Sequence, residues 1–199
     1  MLIVRTTGII RLNIQLPSLF KHSISNKSTT MSYLKFLTPV LLSLIFISCR
    51  LGQSGVDYDH SKNPYYSHTD TKPVKVSDAE WKKILPPAVY EIAREQGTER
   101  AFTGKYWNNH AKGIYYCAVC GNALYSSDTK FESGTGWPSF FQSLNKNSLE
   151  LKTDPDGDRT EVTCKRCGSH LGHVFDDGPA PKGKRYCMDG NVLDFEAAK

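Results

Sequence analysis

Two Cys-x-x-Cys-Gly pairs, Cys117/Cys120 with Gly121 and Cys164/Cys167 with Gly168, constrain this chain more than any other feature. Each pair sets two sulfurs on one tight turn, and the glycine behind it gives the backbone access to the positive-φ region such a turn uses. The segments Cys117-Ala-Val-Cys-Gly-Asn-Ala-Leu124 and Cys164-Lys-Arg-Cys-Gly-Ser-His-Leu171 are two copies of one knuckle. Brought together they offer four thiolates in a tetrahedron, the donor set of a closed structural zinc site. With 43 residues between Cys120 and Cys164, the expected metal clamps two distant hairpins. Two disulfides, an iron site and a thioredoxin-type redox pair stand as alternatives, but the duplication with matching glycines favours zinc.

The texture around the knuckles predicts a mainly β fold, an antiparallel sandwich or rolled sheet, with short N-terminal helices. Short β-like runs separated by turn residues occupy 113–117, 123–125, 149–151, 160–163, 173–175, 185–187 and 192–193. Before them, Ser77-Asp-Ala-Glu80 has the form of a capping box, which predicts a helix running to the Pro86-Pro87 pair. Pro87 then opens a second helix with Val89, Ile92 and Ala93 on one face, ending at Gly97. The stretch Asp154-Pro-Asp-Gly-Asp158 lacks the spacing and closing Glu of a calcium loop and reads as a hairpin turn.

The net charge of +5 comes from the amino-terminal part. Residues 1–56 hold six basic and no acidic residues, which leaves 19 basic against 20 acidic in the rest, so charge gives no support for a nucleic-acid face. A short basic start at Met31, an apolar run from Phe36 to Ile47 and Ser48-Cys49 resemble a bacterial lipoprotein signal, with Cys49 as the lipidated residue. The run is shorter than the roughly 20 residues of a spanning helix. The expectation is a targeting region over 1–49 starting at Met31, a polar linker over 50–74 and a folded domain over 75–199. Residues 1–30, basic and acid-free, also suit a mitochondrial presequence; the cell envelope is the primary placement and the mitochondrion the alternative.

Cys187 stands apart in Arg185-Tyr-Cys-Met-Asp189. On a strand, the two-residue period puts Arg185, Cys187 and Asp189 on one face, with the guanidinium beside the sulfur to favour a thiolate. His170 and His173 flank Gly172, where a bulge returns both rings to one side. The Gly-rich turn Gly134-Thr-Gly-Trp137-Pro138 delivers Trp137 at a fixed angle, an indole suited to a methylthio group. Each of these residues also has an ordinary structural reading: a buried thiol, core histidines, a core tryptophan.

Taken as a set, Ser126 through Phe140, Ser169-His-Leu-Gly-His-Val-Phe175, Arg185-Tyr-Cys187 and the two cysteine pairs resemble the B-type methionine sulfoxide reductases, which act on the R epimer. The resemblance spans about Ser77 to Phe195 and implies two antiparallel sheets, a rolled sandwich, with short N-terminal helices. It implies Cys187 as nucleophile, Cys117, Cys120, Cys164 and Cys167 as ligands of one structural zinc ion, and Trp137 as the wall against the substrate methyl. It further implies His170 and His173 as acid and water-positioning groups and Arg185 as thiolate partner. Two positions depart from the pattern. Asp189, in the substrate region, replaces a common Asn and brings negative charge toward the thiolate; Thr135 stands where many members carry a recycling cysteine. The implied reaction is thiolate attack on peptide-bound methionine sulfoxide, leaving Cys187 as a sulfenic acid for an external thiol, thioredoxin-like or small, to reduce. The expected partners are thus oxidised proteins or peptides and that thiol reductant, with no nucleic acid, a membrane contact only through the lipid anchor, and a monomeric state. A non-catalytic zinc module for protein interaction is the alternative, and it differs in needing no Cys187; a periplasmic thiol-disulfide oxidoreductase would need one metal-free cysteine pair.

Overall fold

The computed structural model describes residues 55–154 and 157–199; the signal reading at Met31 and Cys49 lies outside the described residues. Helix α1 (Asp78–Ile84) starts as the capping box requires, with Ser77 Oγ accepting the Glu80 N–H at 3.3 Å. It stops at Leu85, held extended by the proline that follows. Helix α2 (Pro87–Glu95) buries Val89, Tyr90, Ile92 and Ala93. Its left-handed C-terminal residue is Gln96 (φ 56°) rather than the expected Gly97. There the Gln96 side-chain amide donates to Glu161 Oε1 at 3.1 Å.

Nine antiparallel strands among the described residues form two sheets. The three-stranded sheet has the order β2–β1–β9, from β1 (Gly113–Cys117), β2 (Ala123–Ser126) and β9 (Leu193–Ala197). The six-stranded sheet has the order β3–β4–β8–β7–β6–β5. Its members are β3 (Lys130–Phe131), β4 (Ser139–Phe140), β5 (Leu149–Thr153), β6 (Thr160–Cys164), β7 (His170–Phe175) and β8 (Arg185–Met188). The predicted two-sheet class is correct, with local differences. The two-residue strands β3 and β4 carry no sequence period, and the last strand begins at Leu193 because Gly190–Val192 is a 3-10 turn.

Trp81 and Val89 from the helices meet Tyr115, Leu124, Tyr125, Phe140, Leu171 and Met188 in one core, all fully buried. Tyr125 stacks on Phe140 at 4.2 Å between ring centroids, and Tyr115 meets the same ring edge-on at 4.9 Å. No helix among the described residues is long and apolar enough to cross a membrane.

Residues 55–74 correct the linker expectation. Asn63 is buried and donates to the Val119 carbonyl at 2.8 Å, while Ser67 N–H bonds the Cys120 carbonyl at 3.0 Å. Arg166 donates to the carbonyls of Tyr65 at 3.0 Å and Lys72 at 3.1 Å and pairs with Asp70 at 3.1 Å. The segment is thus a strap over the two knuckles, and Val56 near its described start packs on the core. Composition hides this because the strap is held by side-chain-to-backbone bonds and scattered aromatics, without a periodic apolar face.

Candidate active site and metal cluster

The first knuckle continues β1 of the small sheet, and the second joins β6 to β7 of the large one. Gly121 (φ +77°) and Gly168 (φ +71°) take the positive values expected, and their amides bond the Cys117 and Cys164 carbonyls at 2.7 and 2.8 Å. All four sulfurs are buried and lie within 4.8 Å of one another. Cys117 and Cys167 are 3.8 Å apart, Cys120 and Cys164 3.6 Å. A tetrahedral tetrathiolate with metal–sulfur bonds of about 2.3 Å has edges near 3.8 Å, whereas a disulfide measures about 2.05 Å. The cluster therefore fits a structural metal ion, and the four cysteines are free thiols rather than two disulfides. Asn122 Nδ2 donates to Cys164 Sγ at 3.6 Å and Ser169 Oγ lies 3.3 Å from Cys167 Sγ, contacts that orient the ligands.

Cys187 is the one thiol outside this cluster among the described residues. It sits on β8 opposite His173 of β7 on one side and Ser139 of β4 on the other. The expected irregularity beside Gly172 is present: the β6–β7 register shifts between Val162 and Thr163, and Gly172 adopts φ +145°. A side chain at 172 would run into the Cys187 carbonyl, so glycine is what allows β7 and β8 to close here. The shift brings the His170 and His173 rings edge to face at 5.2 Å. A cavity of about 170 Å³ opens beside the sulfur, lined by Trp137, His173, Phe175, Cys187, Asp189 and Arg159 among others. It is small for a whole ligand and suits one side chain of a larger substrate. Trp137 is half-buried and fixed by its Nε1–H to the Glu99 carbonyl at 3.2 Å.

The electrostatics correct two expectations. Burial pushes the Cys187 thiol above its ordinary value; Thr135, whose Oγ1 is 3.9 Å from the sulfur, Arg185 and Ser139 pull it down without overcoming burial. Arg185 is itself engaged, making two bonds to Asp177 at 2.8 and 2.9 Å and lying 4.4 Å over the Phe175 ring. It does not line the cavity. Asp189, expected as a negative charge, is pushed up to about 7 by burial and by the Glu99 carboxylate, against the pull of the Glu99 N–H. Its charge is therefore partial at neutral pH.

The two histidines part company. His173 reaches the cavity and holds Asp154 Oδ2 through Nε2 at 3.1 Å, and that carboxylate also binds Arg159 at 2.9 Å. His170 lies deeper, 3 % exposed, with Nδ1 2.7 Å from Glu161 Oε1. Burial lowers its pKa against the opposing pull of Glu161, so it is a neutral ring that buttresses His173. Sequence reasoning missed Asp154, Arg159, Glu161 and Glu99. Asp154 belongs to a segment that reads as an ordinary turn, Arg159 directly follows it, and Glu161 had only its alternation on β6 as a signal.

The model of the SelR domain matches residues 85–197. The peptide methionine sulfoxide reductase MsrB of Methanosarcina barkeri is 55% identical over 127 residues, 63% of this chain and 89% of that protein. The MsrB of Thiobacillus denitrificans is 56% identical over 121 residues, 60% of this chain and 92% of that one. The MsrB of Leptospira interrogans is 51% identical over 125 residues, 62% and 95%. A two-sheet β fold with a four-cysteine cluster and a SelR match defines the class. The chain belongs to the MsrB family of SelR-domain proteins.

Because burial outweighs the groups that favour the thiolate, alkylation of Cys187 by iodoacetamide, followed by peptide mass mapping, should still be accelerating as pH rises past 9. Arg185→Ala should slow it a further threefold to tenfold at pH 8, roughly the effect of losing a nearby cation. A rate that levels off by pH 7 would contradict the assignment.

Proposed function

We propose that this chain reduces methionine-R-sulfoxide in oxidised proteins and peptides, with Cys187 as nucleophile, and so repairs oxidative damage. Family membership supports the reaction class. One observation carries the site: Cys187 shares its cavity with an indole, Trp137, and an imidazole, His173. Trp137 holds the substrate methyl group, the Cys187 thiolate attacks the sulfoxide sulfur, and His173 protonates the departing oxygen. Asp154 stabilises the imidazolium from 3.1 Å. His170 positions the ring of His173, and Arg185 biases Cys187 toward the thiolate from outside the cavity. Methionine leaves and Cys187 remains as a sulfenic acid.

The recycling step follows from the other thiols. Thr135 occupies the place of a resolving cysteine 3.9 Å from Cys187 Sγ, and Cys117, Cys120, Cys164 and Cys167 belong to the metal cluster. An external thiol, a thioredoxin-like protein or a small molecule, therefore reduces the sulfenic acid. Cys117, Cys120, Cys164 and Cys167 would hold one zinc ion, and with all four donors from the protein its contribution would be to the fold, on the order of 10 kcal/mol. The chain acts as a monomer. Residues 1–49 form a lipoprotein signal starting at Met31 and place the enzyme in the cell envelope, anchored through Cys49. Labelling with a palmitate analogue should tag the full chain and not a Cys49→Ser variant; equal labelling would remove the anchor from this reading.

The reaction is tested with the resolved epimers of a peptide methionine sulfoxide and dithiothreitol as reductant. The wild type should consume the R epimer and spare the S epimer, while Cys187→Ser should lose at least about 10³-fold in rate. Both proteins should carry one zinc ion. A Cys187→Ser variant as active as wild type would overturn the assignment of the nucleophile.

A further inference from the structure

We propose that Asp189 is a second proton donor of this site: its carboxylic acid protonates the sulfoxide oxygen together with His173, so that the oxygen leaves as water. The proposal rests on the reductase reading above. Asp189 lines the cavity with Cys187, Trp137 and His173 and is only 2 % exposed. Its Oδ1 accepts the Glu99 N–H at 3.0 Å, and no described residue bonds its Oδ2. None of the ion pairs of the described residues reaches it. A buried carboxylate without a cation is costly, whereas a carboxylic acid needs only an acceptor for its O–H. A sulfoxide oxygen in the cavity is such an acceptor.

The groups facing Asp189 keep it in that form. Glu99, in the segment after α2, presents a carboxylate that accepts the Gly190 and Asn191 amides at 2.6 and 2.9 Å, so it repels a charge on Asp189. Cys187 on β8 supplies another negative charge once ionised. The cations nearby are committed: Arg159 and His173 both hold Asp154, and Lys105 reaches Asp194 at 3.5 Å. With its pKa raised to about 7, Asp189 retains its proton over part of the neutral range.

The chemistry balances with two donors. As the bond from Cys187 Sγ to the substrate sulfur forms, the S–O bond breaks and the oxygen takes one proton from His173 and one from Asp189, leaving as water. A water molecule then attacks Cys187 Sγ and the sulfur–sulfur bond breaks toward the substrate, releasing methionine. Cys187 becomes the sulfenic acid, oxidised by two electrons while the substrate sulfur is reduced by two. The attacking water returns its surplus proton to the Asp189 carboxylate, and one proton, that given up by His173, is consumed overall.

The test is single-turnover reduction of a peptide methionine-R-sulfoxide between pH 5.5 and 9, with the zinc-loaded wild type, Asp189→Asn and Glu99→Gln. The asparagine keeps the shape and can still accept the Glu99 N–H, but it cannot transfer a proton. At pH 6 it should be slower on the order of 10- to 100-fold with little change in KM, and the gap should close as pH rises above about 7. Glu99→Gln keeps Asp189 but removes the neighbouring charge, so the loss of the acid-dependent rate should move to lower pH. An Asp189→Asn rate within twofold of wild type, or a gap independent of pH, overturns the proposal; so does an unmoved profile in Glu99→Gln. A wild type that reduces neither epimer at any pH brings down the reductase reading instead, and this proposal with it.

Discussion

Four sulfur atoms within 4.8 Å of one another join the two sheets, and much of the fold is arranged around that contact. One pair closes the end of β1 and the other links β6 to β7. Further bonds tie other parts of the chain to the same place. Arg94 of α2 reaches the Cys167 carbonyl at 3.3 Å and Asp78 of α1 at 2.7 Å, so the helices are fastened to the second knuckle. The strap of residues 55–74 is fastened to the first knuckle through Ser67 and to the second through Arg166. A buried cluster of thiols without a metal has little to hold it, since thiols are weak hydrogen-bonding groups. With a metal it supplies the cross-link that a domain of this size and irregularity uses in place of a larger core.

The candidate site is built one strand away. From Cys167 the chain turns through Ser169 into β7, where the register shift and Gly172 swing His170 and His173 to the same side. Strand β8 then pairs so that Cys187 lies opposite His173. Glu99 completes the geometry: its carbonyl holds the Trp137 indole, its amide holds Asp189 and its carboxylate holds the turn at Gly190 and Asn191. A single residue thus connects the wall of the cavity to the strand that carries the thiol. Substituting its side chain alters the carboxylate contacts to Gly190 and Asn191 and leaves the two backbone contacts in place.

What could be read from the sequence was whatever depends on local spacing. The knuckles, the Ser77 cap, the Pro87 start and the bulge at Gly172 are set by residues a few positions apart. The features that escaped arise from contacts across the chain. Strands β3 and β4 exist because β4 pairs with β8, and Asp154 gains its role because the β5–β6 hairpin brings it back over β7. The sense of the Cys187 shift was missed for a related reason: the neighbouring Arg185 is visible in sequence, whereas the burial that outweighs it is not. For Asp189 the departure from asparagine was legible, but the cost of burying its charge required the structure.

The distribution of thiols gives the account its central claim, that Cys187 carries the chemistry alone. Four of the five cysteines among the described residues are held by the cluster, and Thr135 closes the position nearest the fifth. The most direct measurement is the intact mass of the reduced, zinc-loaded protein after one equivalent of methionine-R-sulfoxide peptide without reductant. A gain of one oxygen, trapped by dimedone on Cys187, is the predicted result. A loss of two hydrogens, with Cys187 in an intramolecular disulfide, would contradict the account.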